Sequence, residues 1–110
     1  MNIIMQSDGL TKKQIFNITN GASNKLSTYD GVVMTIVEYI LYEDKNQQGQ
    51  DQKLLAIVTE EGDIMTTNSA TVIRSFESMI EQGFELPITD VQIVSRTTKN
   101  GRTNYDIKFA

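Results

Sequence analysis

The run GVVMTIVEYILYE, from Gly31 to Glu43, limits the fold more than any other stretch. Its apolar residues occupy both parities, so a strand through Val32–Tyr42 must be buried on both faces or bent between two sheets. A helix is the rival reading, but the valines, isoleucines, threonine and tyrosines of this run favour strand. Eleven residues at strand rise span about 36 Å, long enough to pair with more than one neighbour.

The flanking segments extend this strand into a meander. DKNQQGQDQ, Asp44 to Gln52, is a polar, glycine-containing loop, and KLLAIVTE, Lys53 to Glu60, is a second strand. The turn EEGD, Glu60 to Asp63, leads into a third strand at DIMTT. The periodicity then changes. Val72, Ile73, Phe76, Met79 and Ile80 recur at helical spacing, Ser69 is an N-cap and Gly83 a C-terminal glycine, which predicts a helix over about 70–82. Beyond Leu86-Pro87, two alternating runs joined around Lys99-Asn100-Gly101 form a terminal hairpin.

Three strands, one helix and two strands in 110 residues match a five-stranded OB-like barrel (β-β-β-α-β-β), mainly β, preceded by an amino-terminal extension containing KKQIFNIT. An α+β sandwich with one helix across an antiparallel sheet is the alternative. The whole chain is expected to form one domain. Its amino terminus has neither a basic leader nor a long apolar run, so a soluble, cytoplasmic protein with no membrane partner is the expectation.

The chain contains neither histidine nor cysteine. Imidazole and thiolate catalysis and the usual zinc sites are thereby excluded, and the expectation is a non-enzyme with no cofactor and no metal. A carboxylate-metal nuclease is a distant alternative, because Glu60, Glu61 and Asp63 lie in a solvated turn.

Charge is unevenly placed. Residues 96–110 hold four of the ten basic residues and one of the fourteen acids, a net of plus three. The preceding 95 residues carry minus seven, and together they give the net −4. The hairpin register decides where these cations point. A two-residue Asn100-Gly101 turn would oppose Lys99 to Arg102 and bury the strands poorly. A three-residue loop ending in a glycine bulge instead sets Val91 against Phe109, Ile93 against Ile107 and Ser95 against Tyr105. Arg96, Arg102 and Lys108 then share the other face, with Lys99 at the tip. Such cations serve equally to deter edge-to-edge aggregation.

In an OB arrangement this hairpin borders a groove that accepts single-stranded nucleic acid, where phosphates require cations and unstacked bases require flat rings. Lys53 adds a cation at the start of the second strand. Phe76 and Phe109 are core residues in this reading. Tyr39 and Tyr42 lie on opposite parities, so at most one faces the groove. Tyr105 is a core or a rim residue, and Phe16 has core and stacking roles that the sequence does not separate.

Several segments together resemble a family. They are IFNITNGASNKL, the Asp30-Gly31 entry to the first strand, EEGDIMTTNSATVIRSF and VQIVSRTTKNGRTNYDIKF. Their order and spacing resemble the single-stranded-DNA-binding proteins of protein-primed phages of Gram-positive hosts, the phi-twenty-nine type, over nearly the full chain. The resemblance implies an OB-like fold that coats displaced strands during phage DNA replication without sequence preference, inside an infected bacterium. It implies DNA contacts at Lys99, Arg102 and Tyr105, with Phe16 and Lys25 from the amino-terminal motif. Partners would be single-stranded DNA, a replicative DNA polymerase and further copies of the chain. With Ala110 directly after the last strand, any polymerase contact is expected from the folded surface. The other class of function is a structural or interaction module whose basic hairpin docks an acidic partner.

Overall fold

The computed structural model describes residues 1–110 as a six-stranded antiparallel sheet with two α-helices. In chain order the elements are β1 (Asn2–Gln6), α1 (Lys12–Asn20), a 3-10 turn (Leu26–Tyr29), β2 (Val33–Lys45), β3 (Asp51–Thr59), β4 (Ile64–Thr67), α2 (Ala70–Glu81), β5 (Ile88–Thr97) and β6 (Thr103–Phe109). The sheet runs β4-β3-β2-β5-β6, and β1 pairs with β2. β4 and β6, at the two ends of that path, are not hydrogen-bonded to each other, so the expected barrel is not closed. The expected order of three strands, a helix and two strands is present. The amino-terminal extension adds a sixth strand and a second helix. No helix is long and apolar enough to cross a membrane.

β2 is buried on both faces because it changes face once. Met34, Ile36, Tyr39 and Leu41 all enter a main core of 17 buried residues, although they belong to two parities. The shift is a bulge: Ile36 faces Thr59 but Glu38 faces Val58, so Val37 is the extra residue. After the bulge, Ile40 and Tyr42 point to the opposite side, into a second cluster with Ile18 and Ala56. That side is covered by α1, whose Ile15 and Ile18 meet it. A capping box starts this nine-residue helix: Thr11 Oγ1 accepts from Gln14 N–H at 3.1 Å, and Gln14 Oε1 accepts from Thr11 N–H at 2.8 Å.

A second bulge lies where β2 meets β5. Met34 faces Val91 while Ile36 faces Ile88, one residue more on β5 than on β2. Asp90 there adopts φ 60°, a left-handed conformation that aspartate tolerates better than most residues. Its carbonyl accepts the Ala110 N–H at 2.7 Å, tying the end of the chain to the bulge.

α2 closes the main core between the ends of the sheet. Val72, Ile73, Phe76 and Met79 face inward, and Phe76 meets the Tyr39 ring edge-on at 4.9 Å. Ser69 caps the helix by accepting from Val72 N–H, as expected. Gly83 at φ 94° allows the closing pair of bonds, Gly83 N–H to the Ile80 carbonyl and Phe84 N–H to the Met79 carbonyl. The polar loop after β2 is shorter than expected, because the ladder continues to Lys45 opposite Asp51 and leaves only Asn46–Gln50 as a turn. No buried side-chain nitrogen or oxygen lacks a hydrogen-bond partner.

Phe76→Ala should cost about 3–5 kcal/mol of unfolding free energy, since it empties a fully buried site. Ile18→Ala, in the four-residue second cluster, should cost about 2 kcal/mol. Urea unfolding of the two variants checks the ranking, and equal losses would contradict the division into a major and a minor core.

Candidate nucleic-acid interface

The hairpin adopts the three-residue loop. Val91 faces Phe109, Ile93 faces Ile107, Ser95 faces Tyr105 and Arg96 faces Asn104. Thr98 N–H donates to the Arg102 carbonyl at 2.8 Å, and Gly101 takes the required positive φ of 77°. Arg96 and Lys108 therefore lie on one side of the hairpin and are exposed, with Lys99 and Arg102, also exposed, in the connecting loop.

That side is not open solvent throughout. The first turns of α2 lie against β6, and Ser75 Oγ donates to Asp106 Oδ1 at 2.6 Å; the same oxygen accepts the Ile107 N–H at 2.8 Å. Between helix and hairpin lies a depression of about 410 Å³ bordered by Thr71, Arg96, Asn104, Tyr105, Asp106 and Lys108. Tyr105 also borders a second depression of about 390 Å³, across the unpaired gap between β6 and β4, with Lys25, Gln52 and Asn68. Gln52 and Asn68 in turn border a third, of about 340 Å³, with Lys53, Arg74 and Glu77. The three depressions adjoin through shared residues and form one path along the open seam of the sheet. The amino-terminal end of α2, with no acid in its first turn, opens onto this path.

Of the cations on the path, Lys53 is paired with Glu77 at 3.0 Å, whereas Lys25, Arg74, Arg96 and Lys108 have no acidic partner. Tyr105 stands half-buried at the junction of the first two depressions, with one part of the ring against the main core. Both sequence-level readings of Tyr105, core and rim, thus describe part of the same ring.

Other expected site residues fall elsewhere. Tyr39 and Tyr42 are corrections: they are 8% and 3% exposed, one against Phe76 and the other under α1, and neither presents a ring to the path. The bulge at Val37 causes this, because it brings Tyr39 into the main core while the cover of α1 takes up the opposite face. Phe16 is 64% exposed on α1 and lines none of the three depressions. Lys99 and Arg102 also stand off the path, at the hairpin tip. Phe109, read as core, is 40% exposed and stacks at a tilt on Phe84 at 4.8 Å.

Arg74 and the amides Asn68, Gln52 and Asn104 were not anticipated. Arg74 lies one position from the inward-facing Ile73, and helical phase alone could have placed it outside, but not beside β3. No three His, Cys, Asp or Glu side chains are grouped so as to hold a metal ion.

No protein-family model, curated protein or solved structure matches this chain.

Burial raises the hydroxyl pKa of Tyr39 and Tyr42 above the ordinary value of 10.0, with smaller contributions from the negative charges of Asp8 and Asp44 respectively. Both hydroxyls therefore stay protonated to higher pH in the folded chain than in the unfolded one. Their contribution to stability is intact below about pH 10 and is lost as pH rises through the folded values. Urea midpoints measured across this range should fall above pH 10, and Tyr42→Phe should flatten the fall. An unchanged slope in that variant would place the Tyr42 hydroxyl in water.

Proposed function

We propose that the chain is a sequence-nonspecific single-stranded-DNA-binding protein with an OB-like arrangement, in which α2 and the seam between β4 and β6 take the place of a closed barrel wall. The observation that carries this reading is the continuous path bearing four unpaired cations, with a half-exposed tyrosine at its junction. Phosphates are held by point charges, and a base needs an aromatic face. Amide side chains along the path provide hydrogen bonding that does not depend on one base. The cations, amides and one tyrosine lining the path fit the binding of an extended polyanion.

The resemblance to the phage single-strand-binding family supports the same reading. In that role the protein would coat strands displaced during phage DNA replication in the cytoplasm of the infected cell, beside a DNA polymerase. Arg96, Lys108, Lys25 and Arg74 contact phosphate, Tyr105 stacks, and Lys53 is held in reserve by Glu77.

If four cations release counterions, the logarithm of affinity for fluorescent oligo-dT should fall against the logarithm of salt concentration with a slope of roughly −3. Arg74→Gln should reduce that slope by about 0.7. Folded protein that fails to bind at low salt would overturn the proposal. Tyr105→Leu, which keeps apolar packing but removes the flat ring, should weaken binding by about 1–3 kcal/mol with little change in salt slope. Loss of slope without loss of the salt-independent part would instead make Tyr105 purely structural.

A further inference from the structure

A depression larger than any of the three on the cationic path lies elsewhere on the molecule. It measures about 550 Å³ and lies where the end of β1, the bulge of β2 and the segment after α2 converge. Its lining combines the apolar groups of Val37, Tyr39 and Phe84 with the acids Asp8, Glu38 and Glu85. No basic residue lines it, and none of the three acids is ion-paired. Phe84 is 44% exposed there. This is a mixed apolar and acidic depression with uncompensated negative charge, and it fits the aliphatic stems and charged heads of lysine or arginine.

The same chain carries cations that the path does not use. Lys99 and Arg102 stand at the tip of the β5–β6 hairpin, exposed and unpaired, on a tight loop that projects them together. The acidic cavity adjoins the other end of β5, since Leu86 lines it two residues before the strand begins. Ten strand residues separate the two features by about 30 Å, so tip and cavity cannot meet within one molecule. They are complementary and lie at opposite ends, the geometry of a head-to-tail contact between copies.

We infer that the chain self-associates head to tail, the Lys99 and Arg102 hairpin tip of one copy entering the cavity lined by Asp8, Glu38 and Glu85 on the next. The contact is heterologous and leaves a free tip at one end and a free cavity at the other, so it extends into linear arrays rather than stopping at a dimer. It is electrostatic at its rim and so strongest at low salt. It also assigns an acidic partner to the basic hairpin, namely another copy of the same protein. The inference goes beyond single-strand binding and does not depend on it.

The test uses the full chain without nucleic acid, by sedimentation velocity over a range of protein concentration. Wild-type protein should show a concentration-dependent rise in mass at low salt that disappears at high salt. The reversal Lys99→Glu with Arg102→Glu, and separately Asp8→Lys with Glu85→Lys, should each lower the association constant at least about tenfold. Mixing the two reversed proteins should restore association, because each tip then meets an opposite charge in the other's cavity. The neutral pair Asp8→Asn with Glu85→Gln provides a second variant should a reversal fail to fold, and it should also lower association. A wild-type chain that stays monomeric at low salt would overturn the inference. So would folded variants that associate like wild type, or reversed proteins that do not recover on mixing.

Discussion

The bend of β2 at Val37 is the constraint on which the rest of the molecule depends. A thirteen-residue strand with apolar groups on both parities can be satisfied only if two layers cover it, and one extra residue supplies the change of face. Ahead of the bulge β2 pairs with β5; beyond it, β3 and β1 flank the strand. The strand is thus the hub through which the meander, the terminal hairpin and the amino-terminal strand are held in one sheet. Ser7 marks the end of the β1 ladder, its hydroxyl accepting from the Tyr39 N–H at 3.2 Å and donating to the Tyr39 carbonyl at 3.3 Å. The acidic cavity sits beside this bend, with Val37 itself in its lining.

How much of this was legible depended on whether the determining interaction was local. The hairpin register followed from pairing Val91, Ile93 and Tyr105 with the residues that bury best against them, and the structure has that register. The bounds of α2 followed from Ser69 and Gly83, whose capping chemistry is local. The double burial of β2 was visible as a pattern, but its cause was not: parity shows that two covers are needed without saying that α1 provides one. That helix was missed because it is short and only Ile18 is buried. The fates of Tyr39 and Tyr42 turned on the bulge, which no alternation pattern marks in advance. Closure of a barrel is likewise a nonlocal matter, decided by whether β4 and β6 come within hydrogen-bonding reach.

Failure of that closure creates the candidate interface. Both ends of the sheet have exposed backbone groups to satisfy, and each is managed differently. Asn24 bridges to β4, its N–H donating to the Ile64 carbonyl at 2.7 Å and its carbonyl accepting from Thr66 N–H at 3.2 Å. β6 is flanked by α2 and held through Ser75 and Asp106. What remains between them is lined by side chains rather than by ladder hydrogen bonds, among them Lys25, Gln52, Asn68 and Tyr105. A surface of that kind accommodates an extended, charged polymer more readily than a compact ligand, since no single enclosed pocket dominates.

The acids in and around this path set how tightly it can hold such a polymer. Asp106 sits between Arg96 and Lys108, yet one of its oxygens is already committed to Ser75 and the Ile107 N–H, so the carboxylate fixes the helix against the hairpin rather than pairing with a path cation. Glu77 does neutralise Lys53. The remainder of the body carries its excess negative charge at greater distance, where screening over about 8 Å at physiological ionic strength removes most of its effect. Cations in contact with phosphate are screened far less. Local attraction therefore prevails over distant repulsion, and lowering the salt strengthens the direct phosphate contacts more than it extends the reach of the acidic body. A chain with a sequence pI of 4.7 can in this way present a usable cationic path. In the proposed single-strand role the opposing terms limit the affinity of one copy, and the proposed array of copies, each adding a segment of the same path, would turn modest contacts into continuous cover.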